Sequence, residues 1–174
     1  VTYVILAGKQ IRSCWYFAMI STGIFIFLCF QSKLYIESSL QLFYFGMAIY
    51  GWLSWKNENQ AEIPIIRWKW TWHLWNVFIS AIVAIILGFS LSKWTDQANS
   101  YLDAFTTVFS LLATWMVAKK VLDNWIYWII IDVALFYLYS QNGLYLTSYQ
   151  YLFFTLLAAY AYFNWYKSYQ TQKV

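Results

Sequence analysis

Long apolar runs separated by short polar segments dominate the sequence. Crossing the roughly 30 Å of hydrocarbon in a bilayer takes about 20 helical residues. Six runs come close to or reach that length, at residues 14–31, 36–55, 75–92, 101–118, 122–139 and 148–166. The pattern therefore predicts an all-α integral membrane protein with six complete transmembrane helices.

The first eight residues are as apolar as these runs but only about half as long. At the equivalent place in the second half of the chain, before Lys119, stands the whole run 101–118. We therefore expect a seventh helix that begins upstream of Val1 and is largely missing from this chain. The segment is no signal peptide, because basic residues follow the apolar stretch and no small-residue cleavage site is present.

Residues 119–166 are a divergent copy of residues 9–56, displaced by 110 positions. The matching pairs include Lys9 and Lys119, Trp15 and Trp125, Gln31 and Gln141, Ser38 and Ser148, Tyr50 and Tyr160, and Trp55 and Trp165. Internal repeats of this kind are common in secondary transporters, whose substrate site lies near the bilayer midplane where the repeats meet. Transport is therefore the first hypothesis.

The two copies must run parallel, because Lys9 and Lys119 end the first helix of each copy on the same side of the membrane. Since three helices form an odd number, one extra crossing is needed, and the run 75–92 supplies it. This predicts a 3+1+3 arrangement with a pseudo-twofold axis along the membrane normal. The first repeat is 1–55, a cytoplasmic loop and linker helix occupy 56–93, and the second repeat is 94–174.

Composition and charge agree with a membrane location. Hydrophobic residues make up 62% of the chain and charged residues only 10%, whereas about a quarter of a soluble domain is charged. If the helices alternate, all basic residues except Lys33 and Lys93 share one side, and the positive-inside rule makes that side and the C-terminus cytoplasmic. These charges are scattered at helix ends, so a nucleic-acid partner is not expected.

Recognisable enzyme motifs are missing from the sequence. It contains no phosphate-binding loop, no H-E-x-x-H and no G-x-S-x-G. The only histidine is His73, and Cys14 and Cys29 lie fifteen residues apart within one apolar run, without metal-ligand spacing. We expect no enzymatic activity, no metal site and no cofactor.

Asp132 stands out because it places a carboxylate about halfway along the run 122–139, where a charge costs several kcal/mol. Trp128 and Trp125 stand one and two turns earlier on the same helical face. A carboxylate beside aromatic faces describes a pocket for a flat organic cation. The alternative is that Asp132 is protonated or hydrogen-bonded and ties two helices together.

Other polar residues extend this hypothesis. Thr107 and Ser110 share a face of the run 101–118 and are candidates to line the path, although helix packing explains them equally well. Gln41 and Tyr44 share a face of the run 36–55 and would suit a ribose; the alternative for Gln41 is an interhelical hydrogen bond. Candidates for a cytoplasmic gate, or alternatively for interfacial anchors, are Trp52, Trp55 and Trp165.

Three strings taken together carry a family resemblance: residues 33–55, rich in aromatic residues, then Asp103-Ala-Phe-Thr-Thr107, and then Asn124-Trp-Ile-Tyr-Trp128. Over residues 3–167 the chain resembles the PnuC family of bacterial nicotinamide riboside transporters. The resemblance implies a seven-helix 3+1+3 fold similar to SWEET transporters, a homotrimer in the bacterial inner membrane, and facilitated diffusion of an unphosphorylated vitamin. A cytoplasmic kinase would then trap the vitamin by phosphorylating it.

The resemblance also implies a pocket that includes Gln41 and Trp128, with Asn124 in the tryptophan-rich string beside it. At Asp132 the chain departs from the asparagine of the family. A carboxylate suits nicotinamide riboside or thiamine, both cationic, and argues against riboflavin or neutral deoxynucleosides, with which it would be desolvated and unpaired.

The sequence thus predicts an alternating-access carrier of nicotinamide riboside. Thiamine is the alternative substrate, and a proton-coupled symporter with Asp132 as the titrating group is the alternative mechanism. From another class, a non-transporting membrane subunit or sensor stays open.

Overall fold

The computed structural model describes residues 1–31, 35–55, 64–94 and 99–172. Within these ranges the chain forms seven α-helices and no strand longer than an isolated bridge. The helices are α1 (Thr2–Gly8), α2 (Cys14–Gln31), α3 (Tyr35–Ser54), α4 (Trp70–Trp94), α5 (Ser100–Ala118), α6 (Asn124–Gln141) and α7 (Tyr145–Thr171). The all-α prediction is confirmed. Residues 56–63, most of the predicted cytoplasmic loop, lie outside the described residues.

The six predicted spans correspond to α2 through α7, and two of them are longer than predicted. The helix predicted at 75–92 extends over Trp70–Trp94, and the one predicted at 148–166 extends over Tyr145–Thr171. In both helices the backbone hydrogen bonds continue beyond the apolar run into residues at the membrane interface. A prediction based on hydropathy leaves those residues out, so it makes the helix too short. By length and composition, α2, α4 and α5 are apolar enough to cross a membrane; α3, α6 and α7 carry more tyrosine and amide side chains.

The turns that follow α1 and α5 have the same backbone geometry. Lys9 and Lys119, which cap the two helices, have φ of −88° and −87°. The next residues, Gln10 and Lys120, are left-handed, with φ of 60° and 52°. In both turns the following amide donates to a carbonyl five residues back at 2.9 Å, which is the helix-ending pattern that usually places glycine at the left-handed position.

Hydrogen bonds inside the two halves also match. The Ser38 hydroxyl donates to the Ile26 carbonyl at 3.4 Å, and the Ser148 hydroxyl donates to the Phe136 carbonyl at 3.1 Å. Each bond joins the second helix of its half to the third: α2 to α3 in the first half, and α6 to α7 in the second half. The two donors, and likewise the two acceptors, stand 110 positions apart in the sequence.

Two indole groups join the halves to each other. Trp55 Nε1 donates to the Ala118 carbonyl at 3.1 Å, which links α3 to the end of α5. Trp165 Nε1 donates to the Ala7 carbonyl at 2.9 Å, which links α7 to the end of α1. Both bonds are buried, so they contribute to stability without competition from water.

Four buried tryptophans form the centre of the core, and we call Trp15, Trp55, Trp125 and Trp165 the tryptophan cluster. Ring centroids are 5.4 Å apart between Trp15 and Trp55, 5.5 Å between Trp125 and Trp165, and 6.1 Å between Trp55 and Trp165. The first two contacts are edge-to-face, an arrangement that aromatic quadrupoles favour. The cluster therefore packs the two halves together near the ends of α1 and α5.

Trp15 packs directly against the backbone at Gly51, which provides a test of this core. A Cβ atom at Gly51 would overlap the Trp15 ring, whereas one at Gly46 on the same helix would meet nothing within 4 Å. We expect Gly51→Val to destabilise the protein by at least about 2 kcal/mol through overpacking. Gly46→Val is the matched control and should unfold as the wild type does. Thermal unfolding in detergent measures both, and equal midpoints would contradict this packing.

Candidate functional site

A cavity of about 260 Å³ lies between the two halves and borders on the tryptophan cluster through Trp125. Side chains from α1, α3, α5, α6 and α7 line it, while none comes from α2 or α4. The lining residues are Tyr3, Val4, Tyr44, Ser110, Val117, Trp125, Trp128, Asp132, Leu135, Tyr151, Phe154 and Ala158. The volume falls just below the range of roughly 300–1,000 Å³ that is usual for ligand pockets, so it suits a single small molecule.

Five of the residues predicted from the sequence lie together in this cavity. Trp125, Trp128 and Asp132 project from one face of α6, as their three- and four-residue spacing requires. Tyr44 reaches the cavity from α3 and Ser110 from α5, and the two side chains are close enough to interact. The structure therefore brings these five residues together, and their role in binding stays a prediction.

Three other predicted binding residues are not among the lining side chains. Gln41 and Thr107 stand one turn away from Tyr44 and Ser110 along their helices and are partly exposed. Asn124 is fully buried at the start of α6, where its Nδ2 donates to the Val121 carbonyl at 2.6 Å. In this conformation Asn124 therefore secures the turn between α5 and α6, and a role in binding for these three stays a prediction.

The Asp132 side chain is the most unusual feature of the cavity. The residue is only 5% exposed, and its carboxylate makes no hydrogen bond or ion pair with any residue in the described part of the chain. The alternative in which Asp132 ties two helices by a hydrogen bond therefore finds no partner there. A buried carboxylate without a partner is costly, so this arrangement is suited to a cationic ligand.

Trp125 offers a second unused polar group. Its indole Nε1 is buried and has no hydrogen-bond partner among the described residues. The ring itself is held edge-to-face against Trp165 at 86° between planes. A ligand oxygen in the cavity would satisfy this donor, since indole groups that are buried usually find a partner.

Several lining residues were missed by the sequence reading, among them Tyr3, Tyr151 and Phe154. Tyr151 is held by a stacked contact with Tyr139, with centroids 5.4 Å apart and planes at 5°. The 110-residue displacement could have found two of them, because Tyr151 and Phe154 are the counterparts of Gln41 and Tyr44. Tyr3 carried no such signal, since it lies in the short apolar stretch at the start.

The repeat does not duplicate the carboxylate site. The counterpart of Asp132 is Thr22, and the counterpart of Trp128 is Ala18. Thr22 Oγ1 instead donates to the Ala18 carbonyl within its own helix at 2.8 Å. Among the described residues that line the cavity, Asp132 is the one anionic side chain, and it belongs to the second half.

The predicted gate residues separate into two groups. Trp55 and Trp165 belong to the tryptophan cluster, where Lys120 Nζ lies 4.9 Å from the centre of the Trp55 ring and 3.4 Å from Gln10 Oε1. Gln10 and Lys120 are themselves 110-residue counterparts, so they meet where the two halves meet. Trp52 lies apart, with the Arg12 guanidinium 3.6 Å above its ring and Arg12 Nε donating to its carbonyl at 2.9 Å.

His73 has partners that the sequence did not reveal. Its Nε2 lies 3.2 Å from Asp123 Oδ2 and its Nδ1 lies 3.0 Å from the Tyr127 hydroxyl. These residues are about 50 positions apart, so no local pattern connects them. Nowhere in the described ranges do three or more His, Cys, Asp or Glu side chains gather in a way that could hold a metal ion.

Comparison with known proteins gives consistent matches. The profile of the family described as nicotinamide mononucleotide transporter matches residues 1–167. The chain is 28% identical over 181 residues to the nicotinamide riboside transporter PnuC of Escherichia coli (strain K12), covering 88% of this chain and 75% of that protein. It is 25% identical to the protein of the same name from Neisseria mucosa, covering 94% of this chain and 67% of that protein.

A solved structure agrees with these sequence matches. The chain superimposes on the crystal structure of the vitamin B3 transporter PnuC with a TM-score of 0.74, at 22% sequence identity. The alignment covers 98% of this chain and 78% of that one. The helices described above therefore adopt the fold of that transporter.

Proposed function

The chain belongs to the nicotinamide mononucleotide transporter family, and we propose that it carries nicotinamide riboside, a cationic vitamin precursor, across a bacterial inner membrane by facilitated diffusion. Membership makes it a membrane transporter and not an enzyme. The observation that carries the choice of substrate is the buried, unpaired Asp132 carboxylate in a cavity walled by aromatic rings. A pyridinium ring would neutralise the carboxylate and stack against Trp128 or Trp125.

The rest of the substrate has matching chemistry. Tyr3, Tyr44 and Ser110 bring hydroxyl groups to the cavity, and Trp125 brings an unused indole N–H. These groups suit the hydroxyls of a ribose and the oxygen of a carboxamide. Thr107 would line the path to the cavity, whereas Gln41 for the ribose and Asn124 for binding would need a conformation other than this one.

The same cavity favours the riboside over the mononucleotide. None of its lining residues is Lys, Arg or His, in the part of the chain that the structure describes. A phosphate group would therefore enter next to Asp132 with no cation to offset the repulsion. Exclusion of phosphorylated forms also fits trapping of the vitamin by a cytoplasmic kinase, because the product could not leave through this site.

Transport would proceed by rocking one half of the molecule against the other. The 3+1+3 repeat, with α4 as linker, is supported by the matched turns after α1 and α5 and by the matched serine bonds. Trp55 and Trp165 would close the cytoplasmic side, with Trp52 at its edge, and the C-terminus would be cytoplasmic. A homotrimer is part of the proposal, and it rests on the family resemblance alone.

Titration of intrinsic tryptophan fluorescence tests the substrate. We expect saturable quenching by nicotinamide riboside, because two tryptophans line the cavity, and no saturable response to nicotinamide mononucleotide or to neutral thymidine. Thiamine is the second candidate, since Asp132 would pair with its cationic ring equally well. Saturable quenching by thiamine alone would identify thiamine as the substrate. No saturable quenching by either cation would favour the non-transporting subunit or sensor.

Uptake into proteoliposomes separates the two mechanisms. With the membrane potential clamped at zero, a facilitator brings the cationic vitamin inside only to its external concentration, with or without a pH gradient. Accumulation above that concentration, abolished when the gradient is collapsed, would replace facilitated diffusion by proton-coupled symport.

A further inference from the structure

A second cavity, of about 770 Å³, lies between α4, α5 and α6 and is separate from the substrate cavity. The two cavities share no lining residue. One end of the second cavity is polar and the remainder is walled by aliphatic and aromatic side chains. Nothing in the proposed transport cycle uses it.

The polar end is a linked group of side chains at the start of α4 and α6. Asp123 uses both oxygens, Oδ1 toward Arg67 Nε and Oδ2 toward His73 Nε2, each at 3.2 Å. The Arg67 side chain is 49% exposed, and its terminal nitrogens make no hydrogen bond or ion pair with any described residue. Lys69, two residues further on, is exposed. Asp123 thus pairs with Arg67 Nε, which leaves the terminal nitrogens of Arg67 and the nearby Lys69 side chain for an anionic group.

The apolar part exists because α4 stands away from α6. Cα atoms of the two helices do not come within 8 Å of each other in the described residues, although α4 packs on α5. The gap is bordered by Leu74 and Val77 of α4 and by Ile126 and Ile130 of α6. Such a gap in a bilayer holds apolar chains, because nothing along its walls can bind water.

We propose that this groove binds one anionic phospholipid, with an acyl chain between α4 and α6 and the phosphate at Arg67. Charge complementarity carries the choice: Arg67 and Lys69 lie on the side that the positive-inside rule makes cytoplasmic, where anionic lipid headgroups are attracted to basic residues. Trp68 and Trp70 line the same end, at the depth that indole rings prefer. The bound lipid fills the gap between two helices that otherwise meet through the contact of His73 with Tyr127.

A second copy of the chain has a different surface available. The stripe of α4 that faces the groove is Trp70, His73, Leu74 and Val77. On other sides of α4, Trp75, Ile79 and Ile86 are exposed and line no cavity among the described residues. Lipid binding in the groove is therefore compatible with an oligomer formed through α4.

Native mass spectrometry of the detergent-solubilised protein tests the lipid site. We add equimolar phosphatidylglycerol and phosphatidylcholine and count the lipids retained per chain. We expect one phosphatidylglycerol per chain, preferred about fivefold over phosphatidylcholine. One basic residue near an anionic headgroup contributes about 1 kcal/mol, which corresponds to that preference. Equal retention of the two lipids by the wild type would overturn the proposal. This comparison uses the wild-type protein only, so it does not depend on whether a variant folds.

Two variants locate the lipid, and one serves as a control. Arg67→Gln should reduce the preference to less than about twofold, and Ile130→Trp, which fills the apolar part, should abolish retention. Lys93→Gln, at the opposite end of α4, should retain the wild-type preference. The proposal fails if Arg67→Gln keeps that preference, or if Ile130→Trp dissociates an oligomer while its lipids stay bound.

The substrate proposal is tested separately in the same samples. Tryptophan quenching by nicotinamide riboside should saturate at the wild-type concentration in Arg67→Gln, because that residue lies outside the substrate cavity. Loss of quenching with lipid preference intact would contradict the transport proposal alone. Loss of lipid preference in the wild type with quenching intact would contradict the lipid site alone.

Discussion

Replacing Asp132 with asparagine is expected to weaken binding of nicotinamide riboside by about 10- to 100-fold. The substitution removes the cavity's one carboxylate but keeps nearly the same shape, so the loss reports the interaction with the pyridinium charge. Interactions with a charged, buried partner are worth about 1.5–3 kcal/mol, and 1.4 kcal/mol corresponds to a factor of ten. The measurement is the dissociation constant from tryptophan quenching, together with the initial rate of uptake into proteoliposomes.

Matched variants and ligands separate charge from structure in this experiment. Asp132→Glu should recover part of the affinity because it restores the charge. Asp103→Asn, which changes a carboxylate in the first turn of α5 outside the cavity lining, should bind as the wild type does. Neutral nicotinamide should bind Asp132→Asn and wild type equally. Wild-type affinity for the cation in Asp132→Asn would return this residue to a role in packing alone.

The second expected result concerns the proposed cytoplasmic gate. Trp165→Phe removes the buried hydrogen bond from Nε1 to the Ala7 carbonyl while keeping an aromatic ring in the tryptophan cluster. The Ala7 carbonyl keeps its bond from the Gln10 amide at 2.9 Å, so the variant loses one buried hydrogen bond that exists only while the halves are together, worth about 0.5–1.5 kcal/mol. Because that range corresponds to roughly 2- to 10-fold in an equilibrium constant, the open state should become at least about twice as populated.

Cys14 provides a native reporter of that opening. The residue is fully buried in the same core as the tryptophan cluster, and Cys29→Ser leaves it as the sole cysteine of the chain. Its maleimide labelling rate, measured well below the unfolding temperature, should rise about twofold or more in Trp165→Phe. Trp94→Phe, at a residue that is 83% exposed, is the control for loss of an indole. Equal labelling rates in the two variants would show that Trp165 does not hold the gate closed.

The family resemblance read from the sequence is confirmed by the profile match and by the relatives. The tryptophan-rich strings carried it, because 12 tryptophans in 174 residues form an order that chance seldom reproduces. The seventh helix expected upstream of Val1 and the domain boundaries at 55 and 93 stay predictions. So does the homotrimer.

Part of the candidate site was accessible to the sequence because one helix carries it. The spacing of Trp125, Trp128 and Asp132 fixes their common face on α6 whatever α6 packs against. Tyr151 and Phe154 were accessible through the repeat, since their counterparts Gln41 and Tyr44 had already been singled out. Neither argument predicts Tyr3 or Val117. These two residues line the cavity because of how α1 and α5 pack on the neighbouring helices.

The sequence by itself determined the membrane location, the number and positions of the long helices and the helix face around Asp132, and it indicated a duplication that stays a prediction. These are local properties. A segment in lipid must satisfy its backbone hydrogen bonds within itself and therefore forms a helix, and its apolar composition is enough to identify that helix. Only the tertiary structure decided that Asp132 has no described partner, that Trp55 and Trp165 bond across the halves, and that His73 meets Asp123. Those contacts join residues 50 to 158 positions apart, and they depend on how helices pack, which local patterns do not encode.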